Sequence, residues 1–75
     1  KSNDFIFETL IAEDLIKVLQ ELPLGYRTVF NLYAIEGYSH KEIAKKMNVT
    51  ISTSKSQFSR AKAMLREKIT EIDKE

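Results

Sequence analysis

An all-α domain of four helices with a C-terminal helix-turn-helix is the architecture this sequence predicts. Apolar residues recur at spacings of three and four along its 75 residues. Two glycines and one proline are the only strong breakers, and helix start and stop signals stand between the periodic stretches. At 8.7 kDa the chain is one small domain, near the size where a single core has little surplus stability. A large pocket between lobes is excluded.

Phe7, Leu10, Ile11, Leu15, Val18, Leu19 and Leu22 form one stripe, so the first helix is expected from about Asp4 to about Glu21. Pro23 stops it, because proline cannot continue the hydrogen-bond ladder and pushes its predecessor out of the helical region. Tyr26, Val29, Phe30, Leu32, Tyr33 and Ile35 mark a second helix, ending at Gly37, which suits a left-handed turn. Ser39-His40-Lys41-Glu42 has the form of a capping box and opens a short third helix with Ile43, Ala44 and Met47 inward. That helix ends at Asn48, a residue tolerant of the left-handed conformation, and Val49 plugs the corner. Thr50 caps a fourth helix striped by Ile51, Phe58, Ala61, Leu65, Ile69 and Ile72. Glu71, Asp73 and Glu75 place acids at the end of that helix where the dipole disfavours them.

Net charge is only +1, but it is unevenly placed. Lys1 to Tyr38 sums to −3, Ser39 to Arg66 to +6 with Glu42 the sole acid, and Glu67 to Glu75 to −2. A basic block flanked by acids is an electrostatic footprint for a polyanion. Acids on the first helix would repel phosphates and suit a protein-facing surface. The absence of cysteine removes disulfides, thiolate metal sites and thiol nucleophiles. His40, the single histidine, has no second imidazole or thiolate to share a metal with, and no cofactor is implied. The hydroxyls of Ser52, Thr53, Ser54, Ser56 and Ser59 have no base placed to activate them, so an enzyme is not expected. No apolar run approaches a membrane span and no signal-peptide layout is present, which makes the cytoplasm the expected compartment. The chain opens on Lys1 rather than Met, as expected of a fragment of a longer protein.

Two helices joined by a tight turn, the second longer and more basic, form a helix-turn-helix over about residues 39–68. Ala44 is small where the two helices cross. The third helix offers its N-terminal amides to a phosphate, with Tyr38, Ser39, His40 and Lys41 at that end. In projection at about 100° per residue, Ile51, Ser54, Phe58, Ala61, Leu65 and Ile69 gather on one side of the fourth helix. Ser52, Ser56, Ser59 and Ala63 gather on the other, flanked by Lys55 and Arg60. Short side chains let a helix sink into the major groove, where Lys55 and Arg60 can reach guanine edges and Gln57 can pair with adenine or a phosphate. Tyr26, Phe30, Tyr33 and Phe58 share the periodic stripe and are expected in the core rather than stacked on bases.

Three motifs occur in order: Leu22-Pro23 followed by Tyr26-Arg27; Glu36-Gly37-Tyr38-Ser39 followed by Glu42-Ile43-Ala44; and Thr53-Ser54-Lys55-Ser56-Gln57 followed by Ser59-Arg60-Ala61. Together they make Leu22 to about Leu65 resemble region four, the C-terminal DNA-binding domain, of bacterial RNA polymerase sigma factors of the extracytoplasmic-function group. The resemblance implies binding of double-stranded promoter DNA at the minus-35 element, docking on the beta flap of RNA polymerase core, and coverage by an anti-sigma factor. It implies base reading by Lys55, Ser56, Gln57, Ser59 and Arg60. Phosphate contacts fall to Tyr38, Ser39, His40, Lys41, Thr53 and Lys62. Asn48 stands where that family usually has Gly, and Ile51-Ser52 where an acid and Gly are common. A response-regulator output domain shares the four-helix layout but usually dimerises, whereas a monomer in isolation is expected here. A protein-interaction module held by a regulator is the alternative outside DNA binding.

Overall fold

The computed structural model describes residues 14–73, whose regular structure is four α-helices and one π-helical segment. The helix expected over Asp4–Glu21 is present as α1 over 14–21, while the positions Phe7, Leu10 and Ile11 lie outside the described residues. Its last turn closes with the Leu22 amide donating to Leu19 O at 3.1 Å. Pro23 then becomes the N-cap of α2, Leu24–Phe30. Here proline acts as both stop and start, since its missing N–H and fixed φ suit a first-turn position.

The second helix does not run to its end in one form. After Phe30 the chain widens into a π-helical segment, Asn31–Ile35, in which Glu36 N donates to Asn31 O at 3.0 Å. Each residue there turns through a smaller angle than in an α-helix, so a stripe projected at the α-helical period drifts off the core face. That is why Ile35 is 62% exposed and Tyr33 39% exposed, although both were expected inward. Gly37, at φ +82°, takes the left-handed turn. Tyr38 N then donates to Leu32 O at 2.9 Å, one residue wider than the usual closure of an α-helix.

The third helix, α3, spans His40–Met47 and begins with the expected capping box. Glu42 N donates to Ser39 Oγ at 3.1 Å and Ser39 N donates to Glu42 Oε1 at 2.9 Å. Those bonds hold the Glu42 carboxyl below the usual carboxylate range. Ser39→Ala is expected to lower stability by about 1 kcal/mol in urea titration. The Glu42 share of that stability is present above the ordinary carboxylate pKa and fades as pH falls through the lowered one, because the protonated acid accepts poorly. The Ser39 N–H that donates to the carboxylate belongs to the backbone and remains in Ser39→Ala, so both proteins lose this share in acid and the offset from the missing Ser39 Oγ acceptor persists. Asn48 ends α3 in the left-handed region, φ 58°, and Val49 N donates to Ala44 O at 2.9 Å.

The fourth helix, α4, runs Ile51–Asp73, so Glu71 and Asp73 of the acidic end are helical. Thr50 caps it, accepting from Thr53 N at 3.0 Å. The core consists of Val18 and Leu19 of α1 and Leu22 just after it, against Ala61 and Leu65 of α4, with Tyr26, Phe30 and Met64 packed around them. Farther toward the turn, Val29, Ile43 and Ser54 are each 0% exposed and seat α2 and α3 on the first half of α4. The long helix α4 is thus the spine against which both α2 and α3 rest. No helix among the described residues is long and apolar enough to cross a membrane.

Candidate nucleic-acid interface

The outward stripe of α4 is formed as the projection requires. Ser52, Lys55, Ser56, Ser59, Arg60 and Ala63 are all exposed, whereas Ser54, Ala61 and Leu65 are buried on the opposite side. Lys55 and Arg60 have no hydrogen-bond or ion-pair partner among the described residues. Three other cations are already engaged. Lys68 pairs with Glu21 at 3.1 Å, Lys46 lies over the Tyr38 ring at 4.6 Å and Lys62 over the Phe58 ring at 5.0 Å. Of the phosphate-contacting candidates, Tyr38 and Lys62 therefore each carry an internal cation–π contact, which holds the side chain near the surface without removing its polar end.

Hydroxyl roles are partly assigned by the helix itself. Ser56 donates to Thr53 O at 3.1 Å, leaving its oxygen free to accept. Thr50 donates to Thr53 Oγ1 at 2.9 Å, leaving the Thr53 hydroxyl free to donate, as a phosphate contact needs. Ser39 and Lys41 are exposed at the N-terminus of α3. Ile51 is 44% exposed, so the residue that replaces the family's usual acid sits at the surface beside the first turn.

Gln57 departs from the exposed stripe. It is half-buried, near Gly25, where an added Cβ would lie 3.9 Å from its Nε2. Its Oε1 is buried without a hydrogen-bond partner among the described residues. The reason is register: Gln57 lies three residues after Ser54 and four before Ala61, both 0% exposed. That spacing was legible in the sequence, but amide chemistry pointed the other way.

His40 sits differently from a plain surface residue. Its ring stacks on Tyr33, centroids 4.2 Å apart at 12°, and meets the edge of Phe58 at 5.8 Å. Nδ1 lies 2.9 Å from Ser54 Oγ. Tyr33 also packs on Phe58 at 4.6 Å, and Phe58 on Phe30 at 5.7 Å. Tyr26 and Phe30 pack on the core as expected, while Phe30, Phe58, Tyr33 and His40 form a chain of rings that leads from it to the surface. Sequence reasoning missed the link between Ser54 and His40, 14 residues apart, because it depends on how α3 crosses α4.

Exposed cations, small residues and a capped helix start, with no acid between Glu42 and Glu67 in the sequence, make a surface suited to binding a polyanion. No relative is found among curated proteins. A family model described as Sigma-70, region 4 matches residues 12–65, more than half of the chain, and favours that family over the response-regulator alternative. The chain belongs to the sigma-70 region 4 family, the non-catalytic helix-turn-helix domain by which sigma factors bind the minus-35 element of promoters and work with RNA polymerase.

Proposed function

We propose that this chain is the minus-35-reading domain of an extracytoplasmic-function type sigma factor, part of a longer cytoplasmic protein, with 1–75 forming one domain. The observation that carries the proposal is the exposed Lys55, Ser56, Ser59 and Arg60 stripe on α4, beside the capped start of α3. Base edges are read by those four residues, and Gln57 joins them only by swinging out of its half-buried position. Tyr38, Ser39, His40, Lys41, Thr53 and Lys62 hold phosphates. The beta flap of polymerase core and an anti-sigma factor are its protein partners, and the domain is a monomer in isolation.

Selection of bound duplexes from a randomised pool at low salt tests the reading. A short asymmetric motif is the expected result, because a monomer presents one recognition helix. A palindrome would favour a dimer, and no enrichment would favour the protein-interaction reading. On the selected duplex, contact with about four phosphates gives a slope of log K against log salt near about −3.6. A slope near zero, measured by fluorescence anisotropy, would remove phosphate neutralisation as the source of affinity. Binding by the isolated domain is expected to be weak, because a module of this kind buries only about 600–1,000 Å² on DNA, and tethering on polymerase supplies the remainder.

A further inference from the structure

We propose that Ser54 is a positioning residue for DNA binding: its buried hydroxyl, with the Tyr33 ring, holds the His40 imidazole as a neutral donor whose Nε2–H is offered to a phosphate. This rests on the DNA-binding reading above and deepens one contact of it. Ser54 is 0% exposed, on the inward face of α4. A buried hydroxyl needs an acceptor, and among the described residues the acceptor within bonding distance is His40 Nδ1, at 2.9 Å. Other helical hydroxyls donate back to a carbonyl, Ser56 to Thr53 and Thr70 to Arg66, but Ser54 does not. With Ser54 donating, Nδ1 is the acceptor and the ring proton sits on Nε2. The two ring nitrogens point in diverging directions, so a ring bonded inward through Nδ1 turns Nε2 away from Ser54. Tyr33 lying nearly parallel on the ring and Phe58 at its edge keep it from turning over.

The same clamp opposes protonation. A second ring proton would sit on Nδ1, Ser54 would have to accept it, and the Ser54 O–H would be left without an acceptor in the interior. Of the charged groups nearby, Lys55 acts in the same direction, and Glu42, two residues on along α3 with its carboxylate bonded to Ser39 N, is the acid of that helix start. Lys55 approaches from α4, Tyr33 presents its phenol from the π-helical segment, and Lys41 follows on α3 itself, where the helix N-terminus also disfavours a cation. Burial, and then Lys55, lower the His40 pKa from the ordinary histidine value. His40 is therefore biased toward the neutral form, and acidification across the histidine range strengthens DNA binding less than a free imidazole at that position would.

The first test needs no DNA: nitrogen-15 spectra of the imidazole in the free chain, wild type and Ser54→Ala, followed with pH. The Nε2–H tautomer is expected to dominate, and Ser54→Ala to mix the tautomers and raise the titration midpoint. A dominant Nδ1–H tautomer in the wild type, or identical spectra for Ser54→Ala, overturns the proposal. The second test is anisotropy on the selected duplex at fixed ionic strength. From about pH 8 to about pH 5.5, wild type is expected to change less than about twofold, while Ser54→Ala gains about fivefold as its freed imidazole charges against phosphate. Its salt slope at the lower pH steepens by about 0.9. His40→Gln, which keeps a neutral donor and cannot titrate, stays flat. Equal pH profiles for wild type and Ser54→Ala overturn the positioning role even where DNA binds well. No DNA binding by any variant overturns the phosphate contact together with the reading beneath it, and leaves the tautomer result to stand by itself.

Discussion

Arg60→Ala is expected to weaken binding to the selected duplex by about 10- to 100-fold and to relax its sequence preference at one position, with thermal stability unchanged. The size follows from the discrimination of about 1–3 kcal/mol that a bidentate arginine gives on a guanine edge. Arg60 is exposed, without a hydrogen-bond or ion-pair partner among the described residues, so its loss leaves no internal contact broken. Exposed substitutions of that kind usually stay within about 0.5 kcal/mol in stability. Arg60→Lys separates charge from geometry. Lysine retains the phosphate attraction and the salt slope but cannot present the planar fork, so the specificity at that position should still relax. Lys41→Ala, at the helix start, is the contrasting case: binding falls for all sequences alike and the salt slope shrinks by about one. Binding-site selection followed by anisotropy across salt distinguishes these patterns. An Arg60→Ala variant that kept its preference at every position would move base reading to another residue of the stripe.

Much of this arrangement is legible in the sequence. The capping box at Ser39–Glu42, the left-handed Asn48, the Thr50 cap and the inward Ser54 all follow from local rules that act within a few residues, and each is present. The outward stripe of α4 was equally legible, because a regular helix preserves its register over its whole length. What failed failed for reasons of register or of distance. The π-helical segment at Asn31–Ile35 broke the period on which the burial of Tyr33 and Ile35 was projected, and no residue there announces it. Gln57 was placed by its chemistry although its spacing from Ser54 and Ala61 put it inward. The Tyr33, His40, Phe58 and Ser54 cluster joins three elements, and nothing in a single chain's periodicity states which histidine meets which serine.

Ile43→Ala is expected to have the largest effect on folding. Ile43 is 0% exposed on the inward face of α3, and its loss removes the main anchor of a helix only eight residues long. Truncating a buried isoleucine to alanine costs about 2–5 kcal/mol, through lost transfer energy and the cavity left behind. A core of this size rarely supplies more than about 3–5 kcal/mol in total, so the variant should be largely unfolded or melt tens of degrees lower, at about 4–8 °C per kcal/mol. Ile51→Ala is the control of equal chemistry, because Ile51 is 44% exposed and should change stability by no more than about 0.5 kcal/mol. Thermal melts by circular dichroism compare the two. A loss below about 1 kcal/mol for Ile43→Ala would mean that α3 is held by its turn and cap rather than by packing on α4. The difference matters for DNA binding, since α3 carries Ser39, His40 and Lys41 and its seat on α4 brings His40 onto Ser54. If packing holds that seat, a variant that loosens α3 should lose affinity in proportion to its folded fraction, while Arg60→Ala loses affinity with the fold intact.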